Sequence, residues 1–349
     1  MDELASTTAA QAGRFPTARD VALRAGVSPS TVSRVLNATT PVRPDKRDAV
    51  MRAAAALGFV ANGAARALST RRFMAVGAVV PNLENEGFLR ALSTFQERLR
   101  RDDYTLVVTS AGYDLDRELL EATFLLERGI DGLMLVGDIH RPALLRRIER
   151  QGIPLVQTFS LSRQRGCVGF DNEAAAARAT DYLLDLGHRR FGVITGPRQE
   201  NDRGGARVKG VVRSLAARSL AIRPEHDIEV TYGIRDGRDA LRQILSGDEA
   251  APTAILCGTD QLAFGAMIEA HARGIDIPGE LSVVGFNDAD YAAFLRPALT
   301  TLRLPSAEIG KAAAEHLLAR MAGRAAVRVV ELEPQLVVRA STGPPPGTA

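Results

Sequence analysis

From residue 73 onward the chain repeats one pattern, a short apolar run followed by an amphipathic stretch long enough for a helix. The runs are Met74–Val80, Thr105–Thr109, Gly132–Val136, Pro154–Gln157 and Cys167–Phe170, then Arg190–Thr195, Ile228–Thr231, Ala254–Cys257 and Leu281–Phe286. Unbroken apolar strands belong to a sheet covered on both faces, and parallel strands need crossover helices between them. The pattern therefore predicts an α/β body of two doubly wound parallel-sheet lobes, joined near Asp171–Ala174 and facing each other across a cleft. Ligands of such sheets bind beyond the carboxyl ends of the strands.

The first 60 residues read differently. Thr17–Arg24 forms a short helix opened by a capping box between Thr17 and Asp20, and Gly26 supplies a tight turn. A second helix, Val27–Asn37, starts with Ser28 as cap and Pro29 in its first turn, where a missing N–H costs nothing. Val32, Val35 and Leu36 give it an apolar stripe. Ser30, Ser33, Arg34 and Asn37 give it a polar one. A third helix, Pro44–Leu57, closes the core with Val50, Ala53, Ala54 and Leu57. Helix, glycine turn and a second helix with a hydrogen-bonding face make a helix-turn-helix, whose second helix enters the DNA major groove.

The segment PTARDVALRAGVSPSTVSRVLN closely resembles the amino-terminal reading head of the lactose- and galactose-repressor family of bacterial regulators, and the similarity continues from Gly58 to Leu68. The resemblance implies a homodimer, or a dimer of dimers, on a pseudo-palindromic double-stranded operator. At the family positions Arg34 reads a guanine edge and Pro29 and Ser30 tune neighbouring bases. Thr17, Thr31, Ser33 and Asn37 hold phosphates or bases. Asn62–Leu68 corresponds to the family's hinge helix, with Asn62 at its start, Arg66 as its basic residue and Leu68 as the wedge between base pairs of the minor groove. Seven residues containing Gly63 are too few for a helix that stands alone in water. Ala61 departs from a common family proline.

For the body, the resemblance implies a periplasmic-binding-protein-like fold with three crossings between lobes, near Asp171, at Thr301–Pro305 and before Val327, and a last strand including Leu336–Val338. Strand ends direct attention to 81–88, 109–113, 158–162, 195–207, 257–261 and 286–291. Within them Arg207, Thr259 and Asn287 suit a small polyol, and Phe88, Phe159 or Tyr291 can cover an apolar sugar face. Arg207, in RVKG, aligns with the family's effector-binding arginine. Asn287 stands where the family often has aspartate, Thr259 where asparagine or serine is frequent, and Glu86-Gly87 where Pro-Phe is common. The implied effector is a sugar or sugar acid. Asp260 reads as a cap of the next helix; Asp288 and Asp290 have the chemistry of metal ligands or of an acid and base, but a solvated or helix-capping loop explains them as well.

Charge supports the division. Eleven of the 44 Lys and Arg lie in residues 1–72 against five of the 41 Asp and Glu, a basic head on a slightly acidic body. Cys167 and Cys257 lie in apolar runs without metal-ligand spacing and are expected as buried thiols. No metal site or cofactor is expected. Two rival readings are an enzyme on Rossmann-like lobes and a sugar receptor that ignores DNA. Against the first, the chain has no G-x-G-x-x-G after the first strand, no phosphate-loop motif and no G-x-S-x-G, and its five histidines are scattered. No catalytic residue is assigned. With no apolar run of membrane length and no secretory leader, a cytoplasmic location is expected. The expected layout is a disordered arm at 1–14, reading head at 15–60, hinge and linker at 61–72, two-lobed effector and dimerisation body at 73–340 and disordered tail at 341–349.

Overall fold

The computed structural model describes residues 15–37, 41–60, 72–161, 165–247 and 251–347. They form two units that divide between Phe73 and Met74. The arm at 1–14 and all of the hinge stretch except Arg72 lie outside the described residues, and with them Asn62, Arg66 and Leu68.

The first unit contains α1 (Ala18–Ala25), α2 (Pro29–Asn37) and α3 (Pro44–Leu57). The expected capping box forms: the Thr17 backbone N–H donates to Asp20 at 2.7 Å, and the Asp20 N–H donates back to the Thr17 hydroxyl at 3.4 Å. Gly26 ends α1 at φ +64, a left-handed conformation that glycine adopts without Cβ strain. Ser28 caps α2 by accepting from the Thr31 N–H. Val21, Ala22, Val32, Val50, Ala53 and Ala54 are buried together, with Val35, Leu36 and Leu57 packed on them, so the periodicity read from the sequence is the core of this unit.

Among the described residues, the second unit holds twelve strands. These are β1 (Ala75–Val80), β2 (Thr105–Ser110), β3 (Gly132–Val136), β4 (Leu155–Thr158), β5 (Cys167–Gly169) and β6 (Phe191–Thr195), then β7 (Asp227–Glu229), β8 (Ala254–Cys257), β9 (Ser282–Asn287), β10 (Thr300–Arg303), β11 (Val329–Glu331) and β12 (Gln335–Val337). Between them run α4 (Glu86–Arg100), α5 (Leu115–Arg128), α6 (Pro142–Gln151), α7 (Asn172–Asp185), α8 (Asp202–Ala216), α9 (Ile234–Ile244), α10 (Asp260–Ala272) and α11 (Ser306–Met321). One sheet has the order β11-β5-β4-β3-β1-β2, the other β12-β10-β9-β8-β6-β7. All pairings are parallel except β10 with β12.

Two expectations need correction. The third crossing does not precede Val327: β11 first pairs with β5, and the chain changes lobe between β11 and β12. A three-residue edge strand with half-exposed sides carries no periodicity from which it could be read. The tail is also not disordered at its start. Ser341 is fully buried, donating to the Val283 carbonyl at 2.6 Å and accepting from the Thr300 N–H at 2.8 Å. The Gly343 carbonyl meets buried His188 at 2.8 Å. Polar residues here complete the sheet rather than face water.

Asn85, Asp114, Asp171, Asn201 and Thr259 cap helices that leave strand ends, each side chain accepting from a first-turn N–H. Strand, cap, helix is the local rule that aims the helix starts at the cleft. Below it, Phe170 of the first lobe lies 6.4 Å from Phe286 of the second, inside a continuous apolar cluster.

Candidate DNA-reading helix and ligand cleft

On α2 the side chains of Ser30, Ser33 and Arg34 are exposed, as is Pro29, while Val32 is buried. Arg34 Nε donates to the Ser30 carbonyl one turn back at 3.2 Å, and the Ser28 hydroxyl lies 2.8 Å from that of Ser30 and 2.9 Å from that of Thr31. Thr17 differs from its neighbours in the expected set, because its hydroxyl is already spent on Asp20 at 2.7 Å. Arg43, the residue before Pro44, makes no cap and pairs with Asp45 at 3.2 Å on the surface.

In the second unit Phe88, Phe159, Arg207, Thr259 and Asn287 line one cavity between the lobes. Phe88 and Phe159 meet edge to face at 5.0 Å. Thr259 caps α10, its hydroxyl accepting from the Leu262 N–H, and is almost wholly buried. Arg207 leaves α8 to donate from Nε to Asn172 Oδ1 at 3.0 Å and from Nη1 to the Gly258 carbonyl at 2.7 Å. Its guanidinium carbon stands 3.6 Å above the Phe286 ring. Burial draws the Arg207 guanidinium down to about 10, so the residue is not a solvated helix arginine.

Six further residues line the same space: Asn85, Tyr113, Asn201, Arg203, Tyr232 and Leu304. Four of them lie in stretches marked by strand ends, but only their distances single them out. The Tyr113 and Tyr232 rings stack at 4.8 Å, and Asn201 donates to the Tyr232 hydroxyl at 2.9 Å. Burial, and then Tyr232, push the Tyr113 hydroxyl far above its ordinary range, so it stays a donor. Tyr291 is not in the cavity; it stacks on Phe264 at 5.8 Å. Tyr113, Phe159 and Asn287 all have positive φ, at 63, 63 and 133, so backbone strain gathers on the cleft walls.

Asp260 and Asp288 take other roles than expected, whereas Asp290 is the expected exposed loop residue. Asp260 is buried, accepting from the Thr301 hydroxyl and the Ala289 N–H, both at 2.6 Å, while Thr259 does the capping. Burial raises the Asp260 carboxyl to about 6. Asp288 is buried between Arg303 at 2.7 Å and Arg339 at 2.6 Å. Asp290 crosses to the first lobe, pairing with Arg90 at 2.6 Å, and its N–H donates to Glu86 at 2.9 Å. On the other flank Glu200 meets Arg141 at 3.0 Å and accepts from the Leu115 N–H at 3.2 Å, while Asp202 accepts from the Asp138 N–H at 3.1 Å and from Ser160. The lobes are latched on both sides. The cavity left between them has about 20 Å³ of room, far below the several hundred Å³ of an open ligand site.

Residues 17–62 match the family described as bacterial regulatory proteins, lacI family, and residues 180–342 match a periplasmic binding protein-like domain. The HTH-type transcriptional regulator reg1 of Streptomyces lividans is 35% identical over 347 residues, covering 94% of this chain and 97% of its own. The chain belongs to the LacI family. It is a DNA-binding transcriptional regulator with an effector-binding body, and its relatives are named as regulators and not as enzymes. The HTH-type transcriptional repressor PurR of Proteus mirabilis is 30% identical, covering 95% of this chain and 98% of its own. Among solved structures, a LacI-family regulator from Silicibacter pomeroyi superposes with a TM-score of 0.85 at 27% identity, covering 93% of this chain and 99% of that one. The regulator CelR in complex with cellobiose superposes at 0.69 and 27% identity, over 93% and 99% of the two chains. The helix-turn-helix and the two-sheet body of this chain are thus those of its family. No helix among the described residues is long and apolar enough to cross a membrane, and they contain no cluster of side chains able to hold a metal ion.

Proposed function

We propose that this regulator is a cytoplasmic homodimer, or dimer of dimers, that represses carbohydrate-related genes from a pseudo-palindromic operator and is controlled by a sugar or sugar acid in the cleft. The observation that carries the ligand reading is the convergence of Phe88, Phe159, Arg207, Thr259 and Asn287 on one cavity. Arg207 supplies a donor fork, Thr259 a hydroxyl and Asn287 both donor and acceptor, while the two phenylalanines cover an apolar sugar face. Tyr113 and Tyr232 add a second aromatic wall. The cellobiose bound by CelR is a ligand of this chemical kind. Exposed Leu120 (69%) and Phe124 (44%) on α5 favour burial against a second copy of the chain.

On the DNA side, Arg34 reads a guanine, Pro29 and Ser30 set the adjacent bases, and Thr17, Thr31, Ser33 and Asn37 hold phosphates or bases. Asn62, Arg66 and Leu68 form a hinge helix that orders only on operator. Ligand acts by differential affinity for the two lobe arrangements, which changes the spacing of paired hinges. A thermal-shift screen of sugars, sugar acids and purines on the full chain tests the ligand class. Stabilisation by a sugar or sugar acid that is lost in Arg207→Ala supports the reading; stabilisation by purines alone overturns it. Leu68→Ala is expected to weaken operator binding and leave ligand affinity unchanged.

A further inference from the structure

The first sheet has a second concavity, at the edge opposite the cleft. It lies at the amino-terminal starts of β4 and β5, between the last turns of α6 and α11, and encloses about 670 Å³, the size of a small-molecule site. Arg165, Arg320 and Arg328 line it from three separate segments. Glu149 is the one carboxylate lining it among the described residues, and it lies 3.3 Å from Arg165. Arg320 also serves the negative end of α11, but Arg165 and Arg328 stand on strand starts. The wall includes His316, which is 5% exposed. Its Nδ1 faces the Val327 carbonyl at 3.0 Å and must be the protonated nitrogen, so Nε2 is the acceptor. That Nε2 is buried against Gly166 and has no hydrogen-bond partner.

We propose that this groove binds the phosphate group of a small phosphorylated metabolite, held by Arg165, Arg320 and Arg328. A phosphate has enough oxygens to be shared by three guanidiniums arriving from different directions, whereas a carboxylate is filled by one or two. Burial keeps His316 below the ordinary imidazole range, with Arg320 acting in the same direction, so Nε2 stays an acceptor at neutral pH. The site is separate from the cleft, so its occupant is a second signal.

The test is calorimetric titration of the full chain with inorganic phosphate and pyrophosphate, alongside ¹⁵N spectra of the histidine rings. Wild type is expected to bind one ligand per chain, with the His316 Nε2 resonance moving. The Arg320→Gln/Arg328→Gln double variant, which changes two exposed side chains, should lose at least tenfold in affinity while Arg207→Ala binds as wild type. No saturable binding in the millimolar range overturns the proposal. So does the reverse pattern, with Arg207→Ala losing phosphate and the double variant keeping it, because the anion would then sit in the cleft. A double variant that keeps phosphate binding but flattens the salt dependence of operator affinity also overturns it, assigning these arginines to the DNA backbone.

Discussion

The Arg207 guanidinium lies 3.6 Å over the Phe286 ring and donates to Asn172 and Gly258, a cation anchored by a π-face, an amide and a carbonyl. No carboxylate is within salt-bridge distance of it among the described residues, so its remaining donor capacity is available to a ligand. Lysine keeps the charge but neither the planar stack nor the fork. Arg207→Lys is therefore expected to weaken ligand binding by about 2 kcal/mol or more, the range for hydrogen bonds to charged groups. Operator affinity without ligand should stay near wild type. Calorimetry with the ligand found by thermal shift, paired with anisotropy on operator DNA, checks both halves.

Asp260 gives a pH signature. Its carboxyl is raised to about 6 by burial, against 3.8 for the unperturbed group, so the folded state holds this proton more tightly than the unfolded one. Its contribution to stability is then full below about pH 4 and lost as pH rises through about 6. Asn at this position keeps an acceptor for the Ala289 N–H and does not titrate. The stability of wild type minus that of Asp260→Asn should fall between pH 4 and pH 7, by up to about 3 kcal/mol at 1.36 kcal/mol per pKa unit. Urea unfolding of both proteins across that range measures it. A difference that stays flat or rises means that Asp260 is ionised in the fold at acid pH.

What could be read from the sequence, and what could not, follows the range of the interactions. Val32, Val35 and Leu36 announce their helix because a 3.6-residue period is local, and the nine apolar runs locate their strands for the same reason. The five chosen cleft residues meet because every parallel strand delivers its carboxyl end to one edge. Tyr232 and Leu304 escaped: each is ordinary in its own segment and becomes a wall only through partners far away in the chain, Tyr113 in one case and the closing lobe in the other. Asp260 and Asp288 escaped for a related reason. An aspartate beside a helix start looks like a cap, and only Thr301 and Arg303, brought up by β10, and Arg339, in the segment after β12, make each a buried anchor.

Gly137 marks a tight approach of the two lobes. At φ +97 it favours glycine already, and a Cβ there would stand 2.2 Å from Arg203 Nη1 and 2.6 Å from Asp202 Oδ1. Those two groups cannot simply swing away: Arg203 is 6% exposed and holds Asp202 at 2.8 Å, and Asp202 in turn holds the Asp138 N–H. Gly137→Ala should therefore favour parted lobes. Small-angle scattering is expected to give a larger radius of gyration than wild type, and ligand affinity should drop about tenfold, since a ligand that needs the closed arrangement binds only the fraction that closes. Unchanged scattering and affinity would mean that the close approach is not what limits closure.

Arg34 tests the reading head. Its side chain is exposed on α2, and its Nε donates to the Ser30 carbonyl. A guanidinium fork discriminates guanine through O6 and N7 together, so its loss should be felt at one base pair rather than spread over the site. Arg34→Ala is expected to cost about 1 to 3 kcal/mol on the best operator and to level the preference at that position, with the salt slope almost unaltered. Selection of binding sites from a randomised pool identifies the operator first; anisotropy on single-base variants then reads the preference. Were affinity to fall equally on every sequence, with a shallower salt slope, Arg34 would be a phosphate contact and the sequence would be read by Pro29, Ser30 and the neighbouring turn.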